Sequence, residues 1–280
     1  MKVTLWALMR SSIDELTAHG IEGATTDVEW MLSSMMGCRR CDLYLRREEV
    51  LEDTFLQNFR EKMARRLRRE PLQHILGTAD FYGESLEVSS DVLIPRPETE
   101  EMVEWVLGHT DAYTERSLLD LGTGSGAIAI TLAKHLPLAH VTASDISERA
   151  LSMAQKNAKL CGVADRITFL KSHWFSLISG KFDVIVSNPP YLTIQEVKEA
   201  SPEVREYEPM TALVSGKDGL DDIRIIISQC ANFLKPGGYL VVETGIHQHK
   251  SIAILAEKEH GTMWSYHDLS GRQRFIVLLF

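Results

Sequence analysis

Asn188-Pro189-Pro190-Tyr191 is a tetrapeptide whose residue types can hold a planar nitrogen. Asn188 offers a side-chain carbonyl, and the main chain after it offers further acceptors. Consecutive prolines fix φ at two residues, so the Pro189 carbonyl is aimed at small entropic cost. A planar NH2 group has two hydrogens and can give one to each acceptor, which pushes its lone pair toward an electrophile. Tyr191 adds a flat face and a hydroxyl to hold such a substrate. Taken alone, the tetrapeptide also reads as a Pro-Pro turn that merely ends a strand.

The element that must position it is the apolar, β-branched run Phe182-Asp183-Val184-Ile185-Val186-Ser187, which reads as a strand buried on both faces. In an open α/β sheet, ligands bind beyond the carboxyl ends of the strands, where residues 188–191 would lie. From Ser117 onward this pattern repeats. Leu118-Leu119-Asp120-Leu121 runs into Gly122-Thr123-Gly124-Ser125-Gly126 and then a helix rich in Ala and Ile. Residues 140–145 form a second strand that ends in Asp145, ahead of a helix at 150–160. Residues 166–170 form a third, followed by Ser172-His173-Trp174-Phe175, and later strands fall at 238–243 and 275–280. Strands alternating with helices imply a parallel, doubly covered sheet.

The glycine-rich turn at 122–126 lets the backbone approach a ligand, and Asp145, about twenty residues on, is placed to accept ribose hydroxyls. Gly122, Gly124 and Ala127 also satisfy the pattern of NAD enzymes, so the loop alone leaves the cofactor open. Asn188 to Tyr191 separates the two readings. Hydride transfer has no use for paired neutral acceptors, whereas methyl transfer from a sulfonium to a planar NH2 needs them.

Before residue 76 the chain reads as helices. Thr26-Asp27-Val28-Glu29 has the capping-box pattern ahead of Trp30, with Gly37 as a stop. Phe55, Phe59, Met63 and Leu67 predict an amphipathic helix over 53–69, which Pro71 follows. Its basic stretch at 60–69 is read as a solvated face rather than a partner-binding surface. Residues 76–88 predict a β-hairpin connector, and Pro97 suits the first turn of the next helix.

Composition narrows the function. A chain of 280 residues suits one large domain and a small one. The net charge is −9, balanced over residues 1–75, so the deficit lies in the remainder. A duplex-binding enzyme would usually carry a basic footprint there. Met1-Lys2-Val3-Thr4-Leu5-Trp6 lacks a signal-peptide layout and no apolar run would span a bilayer, so a cytoplasmic setting is expected, with no membrane partner. Four cysteines fit reduced thiols. Cys38-Arg39-Arg40-Cys41 lacks a second pair or nearby histidines, which argues against metal or redox chemistry.

Asp120 to Gly126, Asp145 and Asn188 to Tyr191 together resemble the class I S-adenosylmethionine-dependent amino-methyltransferases. The segments 71–77, 93–100, 172–175, 186–191 and 208–213, with the tail at 268–274, resemble the release factor glutamine methyltransferases (the PrmC/HemK family) over nearly the whole chain. That resemblance implies an α/β fold with a doubly wound, mostly parallel seven-stranded sheet, a small N-terminal helical bundle and a β-hairpin linker. The implied domains are 1–75 for substrate recognition, 76–95 as linker and 96–280 as the methyltransferase. The implied reaction moves a methyl group from S-adenosylmethionine to the glutamine of the Gly-Gly-Gln motif in peptide chain release factors. It gives N5-methylglutamine and S-adenosylhomocysteine and modulates translation termination.

By the same resemblance Gly122, Thr123, Gly124, Ser125, Gly126, Asp145, Trp174 and Asn188 line the cofactor. Asn188, Pro189, Pro190 and Tyr191 hold the glutamine and carry catalysis. Trp174 would cover the adenine face, although a Trp there also suits a core. His173 departs from the Asp frequent in the family, and Arg96 either orders a cofactor-covering loop or is a surface residue. No metal, no ionised catalytic carboxylate and no direct nucleic-acid contact are expected, and a monomer is the default. Two rival readings are a DNA or RNA amino-methyltransferase of the adenine N6 type, which would need a basic channel, and a binding module that keeps the fold without catalysis.

Overall fold

The computed structural model describes residues 3–280. Met1 and Lys2, on which part of the reading of the chain start rests, lie outside the described residues. The chain forms two compact units, one running through Gly77 and including Ser201–Tyr207, the other made of Thr78–Ala200 and Glu208–Phe280.

The first unit packs helices Leu5–Ala18, Ala24–Met36, Arg40–Leu45, Asp53–Leu67 and Leu72–Leu76, with Pro202–Tyr207 returning to it. Leu5, Met9, Val28, Met31, Phe59 and Met63 are among its buried side chains. Fully burying one such side chain contributes about 1.5–3 kcal/mol. The expected capping box at Thr26 does not form, because the helix starts earlier, after Gly23, and ends at Gly37. The acids of that box have other partners. Asp27 pairs with Arg66 at 2.6 Å, and Glu29 binds Arg40 and Tyr44.

The basic stretch at 60–69 is likewise only partly a solvated face. Arg66 is buried between Asp27 and Glu203, Arg69 reaches the same Glu203 at 2.9 Å, and Arg65 pairs with Glu70. Glu203 explains why Ser201–Tyr207 joins this unit, since a buried guanidinium needs its charge matched.

The second unit is built on a sheet preceded by a hairpin, β1 (Thr78–Phe81) with β2 (Glu84–Glu87). Tyr82 and Gly83 both have positive φ, 48° and 81°, the two-residue turn whose twist suits paired strands. The large sheet holds β3 (Arg116–Leu121), β4 (Ala139–Asp145), β5 (Ile167–Lys171), β6 (Phe182–Ser187), β7 (Leu234–Glu243), β8 (Thr262–His267) and β9 (Gln273–Leu279). Its order is β5-β4-β3-β6-β7-β9-β8, parallel except for β9, which is antiparallel to both of its neighbours. The sheet is therefore the mostly parallel, seven-stranded one expected.

Alternate residues of each strand feed two apolar layers. Leu118, Val184 and Val241 face one, while Leu119, Ile185 and Val242 face the other. Helices Ala127–His135 and Glu148–Leu160 follow β3 and β4, and Pro97–His109 starts at the proline, as expected. The tail at 268–274 forms the β8–β9 turn and the first two residues of β9, and in it Asp268 accepts from the Ser270 and Arg272 amides and pairs with Arg274. No helix among the described residues is long and apolar enough to cross a membrane.

Candidate active site

The strand order reverses between β3 and β6. From β3 the chain steps outward through β4 and β5, then returns to β6 and proceeds the other way. The loops after β3 and β6 diverge there and open a crevice at the carboxyl ends. Register sets the neighbours: Leu121 lies beside Ser187 on one side and Ser144 on the other, and Ser187 lies beside Val242. The next residues, Gly122, Asp145, Asn188 and Glu243, therefore end adjacent strands side by side.

A cavity of about 340 Å³ occupies this crevice. Gly122, Thr123, Gly124, Ser125 and Asp145 line one part of it. Trp174, Asn188 and Pro190 line another, while Gly126, Pro189 and Tyr191 do not reach it. Gly126 caps the following helix at φ 87°, and a Cβ there would lie 3.0 Å from both Ala154 Cβ and Ile130 Cδ1. Its bare Cα serves helix packing. Pro189 is buried as the second residue after the strand. The Tyr191 hydroxyl is not free for a substrate, because it donates to Glu243 Oε1 at 3.2 Å. A largely buried phenol needs such a partner, and burial also pushes its pKa up.

Asp145 grips the loop from below. Its Oδ2 accepts from Gly124 N and its Oδ1 from Ser147 N, both at 2.9 Å. Each oxygen keeps a second lone pair. Burial raises the carboxyl, and the backbone donors hold the rise back. Asp120, fully buried at the end of β3, accepts from Thr123 Oγ1 at 2.6 Å and Ala129 N at 3.2 Å. Burial pushes it up to about 7.

Trp174 sits at φ 46° and donates from Nε1 to Asp222 Oδ1 at 3.0 Å, its ring passing 3.5 Å from where a Gly122 Cβ would stand. His173 also lines the cavity. Arg96 is neither loose nor purely superficial, since it binds Glu208, a buried carboxylate that also accepts from Ile94 N. That pairing ties the Leu93 and Pro95 wall to the Pro209 and Thr211 wall.

Asn188 donates from Nδ2 to Thr99 Oγ1 at 3.0 Å, and Thr99 donates to Glu243 Oε2 at 2.6 Å. Among the described residues nothing donates to Asn188 Oδ1 or to the Pro189 carbonyl. Reading the sequence missed Thr99, Asp222 and Glu243. For Glu243 a signal existed, because an acid ends the β-branched run Val241-Val242, just as Asp145 ends its own strand. Buried and half-buried groups of this kind, with an open acceptor on Asn188 at the crevice, are suited to orienting a neutral donor rather than to abstracting a proton beforehand.

Sheet order, the crevice at the β3–β6 divergence and the glycine turn over an acid define a class I methyltransferase. The catalytic domain of hMettl16, solved with the MAT2A 3'UTR hairpin 6, is similar in fold, with a TM-score of 0.56 and 21% identity over 78% of this chain and 81% of that one. A SAM-dependent methyltransferase from Agrobacterium tumefaciens reaches a TM-score of 0.52 at 17% identity, covering 72% of this chain and 68% of that one. Family models match residues 7–77 as the PrmC N-terminal domain and residues 101–203 as the methyltransferase small domain. The release factor glutamine methyltransferase of Geobacter sulfurreducens is 43% identical over 85% of this chain and 82% of its own. That of Cereibacter sphaeroides is 38% identical over 96% and 95%. The chain belongs to the release factor glutamine methyltransferase family.

Proposed function

We propose that this protein methylates the side-chain amide nitrogen of the glutamine in the Gly-Gly-Gln motif of peptide chain release factors. S-adenosylmethionine, when bound, supplies a methyl carbon made electrophilic by its sulfonium. The cavity fits such a group by its donor set: a glycine turn for close backbone approach, the second lone pairs of Asp145 for hydroxyls, and Trp174 as a flat wall.

Asn188 Oδ1 and the Pro189 carbonyl then accept the two amide hydrogens of glutamine. Holding both fixes the plane of the nitrogen and directs its lone pair into the cavity, and orientation of this kind is a large share of what a protein gives a displacement. The same two oxygens stabilise positive charge as it grows on nitrogen, the counterpart of an oxyanion hole. Deprotonation beforehand is unnecessary, because the nitrogen becomes acidic as it is alkylated: as the N–C bond forms the methyl–sulfur bond would break, S-adenosylhomocysteine would leave, and one amide hydrogen would pass as a proton to solvent. Pro190 shapes the wall beyond, and Tyr191 holds Glu243 behind it. The helical unit would hold the release factor, which is the part that a nucleic-acid methyltransferase does not require.

The observation that supports this reading is the undonated Asn188 side-chain oxygen on a residue that lines the same cavity as the glycine turn and Asp145, with the undonated Pro189 carbonyl next to it in the chain. Mass spectrometry of a Gly-Gly-Gln release factor incubated with the protein and S-adenosylmethionine tests it. The expected product carries one methyl group on that glutamine, and methylation of DNA or RNA in its place would overturn the reading. Asn188→Ala is expected to slow single-turnover transfer by about 2–4 kcal/mol of barrier while cofactor binding changes little.

A further inference from the structure

Asn188 carries a carboxamide whose two ends differ only in hydrogen-bonding sense. Turned one way it presents an acceptor to the substrate, and turned the other way a donor that would repel the substrate NH2. The Pro-Pro that follows fixes the backbone but says nothing about this rotation. Thr99 does. Its hydroxyl has one hydrogen, and that hydrogen lies against Glu243 Oε2 at 2.6 Å. With that hydrogen spent on Glu243, the Thr99 oxygen is left as an acceptor facing Asn188, and it takes Nδ2 at 3.0 Å. The second carboxylate oxygen is occupied by the Tyr191 hydroxyl, which holds Glu243 in place. Thr99 and Glu243 are both buried, Thr99 at the cavity wall and Glu243 behind it, which strengthens these bonds.

We propose that Thr99 and Glu243 are positioning residues for methyl transfer, the Glu243 carboxylate orienting the Thr99 hydroxyl and the Thr99 oxygen turning Asn188 Oδ1 toward the substrate amide. The proposal rests on the role given above to Asn188. The chain of bonds links three elements far apart in sequence: the helix Pro97–His109, the end of β6 and the end of β7. Neither Thr99 nor Glu243 needs to touch the reacting atoms for this role.

A double-mutant cycle tests it, with Thr99→Val, Thr99→Ser, Asn188→Ala and the Thr99→Val/Asn188→Ala pair. Single-turnover transfer to a release factor is measured beside calorimetric binding of a Gly-Gly-Gln peptide in the presence of S-adenosylhomocysteine. Thr99→Val is expected to lower the transfer rate about 10- to 100-fold and weaken the peptide, because Asn188 Nδ2 then faces a methyl group with no acceptor and the carboxamide is driven to the turn that shows the substrate a donor. Thr99→Ser, which keeps the hydroxyl, is expected within about threefold of the parent. In the Asn188→Ala background Thr99→Val is expected to cost less than about threefold more, since its effect runs through Asn188. Losses that multiply, or normal transfer by Thr99→Val beside an impaired Asn188→Ala, would overturn the proposal. Normal transfer by Asn188→Ala would instead remove the reading of Asn188 itself. Should Thr99→Val fail to fold, judged by urea unfolding and S-adenosylhomocysteine binding, Thr99→Ala takes its place in the same cycle.

Discussion

Asp120→Asn isolates one buried charge beneath the glycine turn. Asp120 is fully buried, with two donors on Oδ2 and none on Oδ1 among the described residues. Burial is the largest influence on its carboxyl, which rises from 3.8 to about 7; its two hydrogen bonds oppose the rise and the Asp145 charge adds to it. An acid raised in the folded chain keeps its proton at pH values where the unfolded chain has lost it. Stability must therefore fall as pH climbs from about 4 to about 7, and then level off. At about 1.4 kcal/mol per tenfold, the whole effect is about 4 kcal/mol, of which about 2–3 falls between pH 5 and pH 8.

Asparagine keeps the acceptor that Thr123 and Ala129 use and puts an NH2 where Oδ1 meets no donor. That mismatch costs about 1–3 kcal/mol at every pH, so only the pH dependence is diagnostic. Urea unfolding of parent and variant at matched ionic strength, from pH 5 to pH 8, is the assay. Other buried acids such as Glu243 and Glu208 titrate in both proteins and cancel in the difference. The variant is expected to gain about 2–3 kcal/mol on the parent across that range. Parallel curves, or a gain by the parent, would refute the reasoning.

Two further outcomes follow from the same loop. Gly126→Ala is expected to destabilise by about 2–4 kcal/mol in urea unfolding, because it joins a left-handed backbone to 3.0 Å contacts with Ala154 and Ile130; a loss no greater than that of Gly124→Ala, where a Cβ meets nothing within 4 Å, would contradict it. Asp145→Ala removes the acceptor of two backbone amides as well as its free lone pairs, so S-adenosylmethionine affinity by calorimetry is expected to drop at least tenfold together with stability, and unaltered affinity would count against its role.

The sequence by itself determined the repeating units and their ends. β-branched runs broken by glycine or proline mark strands locally, and a parallel sheet brings the carboxyl ends of its strands to one edge, so Gly122 to Ser125, Asp145 and Asn188 could be placed together from pattern alone. The boundaries of β3, β4 and β6 and the start of the helix at Pro97 were legible for the same reason, since each rests on neighbours a few positions away. β8 was not legible: as an edge strand with most of its side chains exposed, it carries no alternation to read. Nor were the early start of the helix after Gly23 and the return of Ser201–Tyr207, because distant charges on Arg66 and Arg69 claim Asp27 and Glu203.

Tertiary structure alone decided which way Asn188 faces. Its partner Thr99 lies 89 positions away, and the carboxylate behind Thr99 lies 144 positions from it. Such pairings depend on strand order and helix packing, which are settled by apolar burial over the whole unit and leave no local trace. Chemistry-bearing residue types are written along the chain, but the sense of a hydrogen bond belongs to whatever the fold sets beside them.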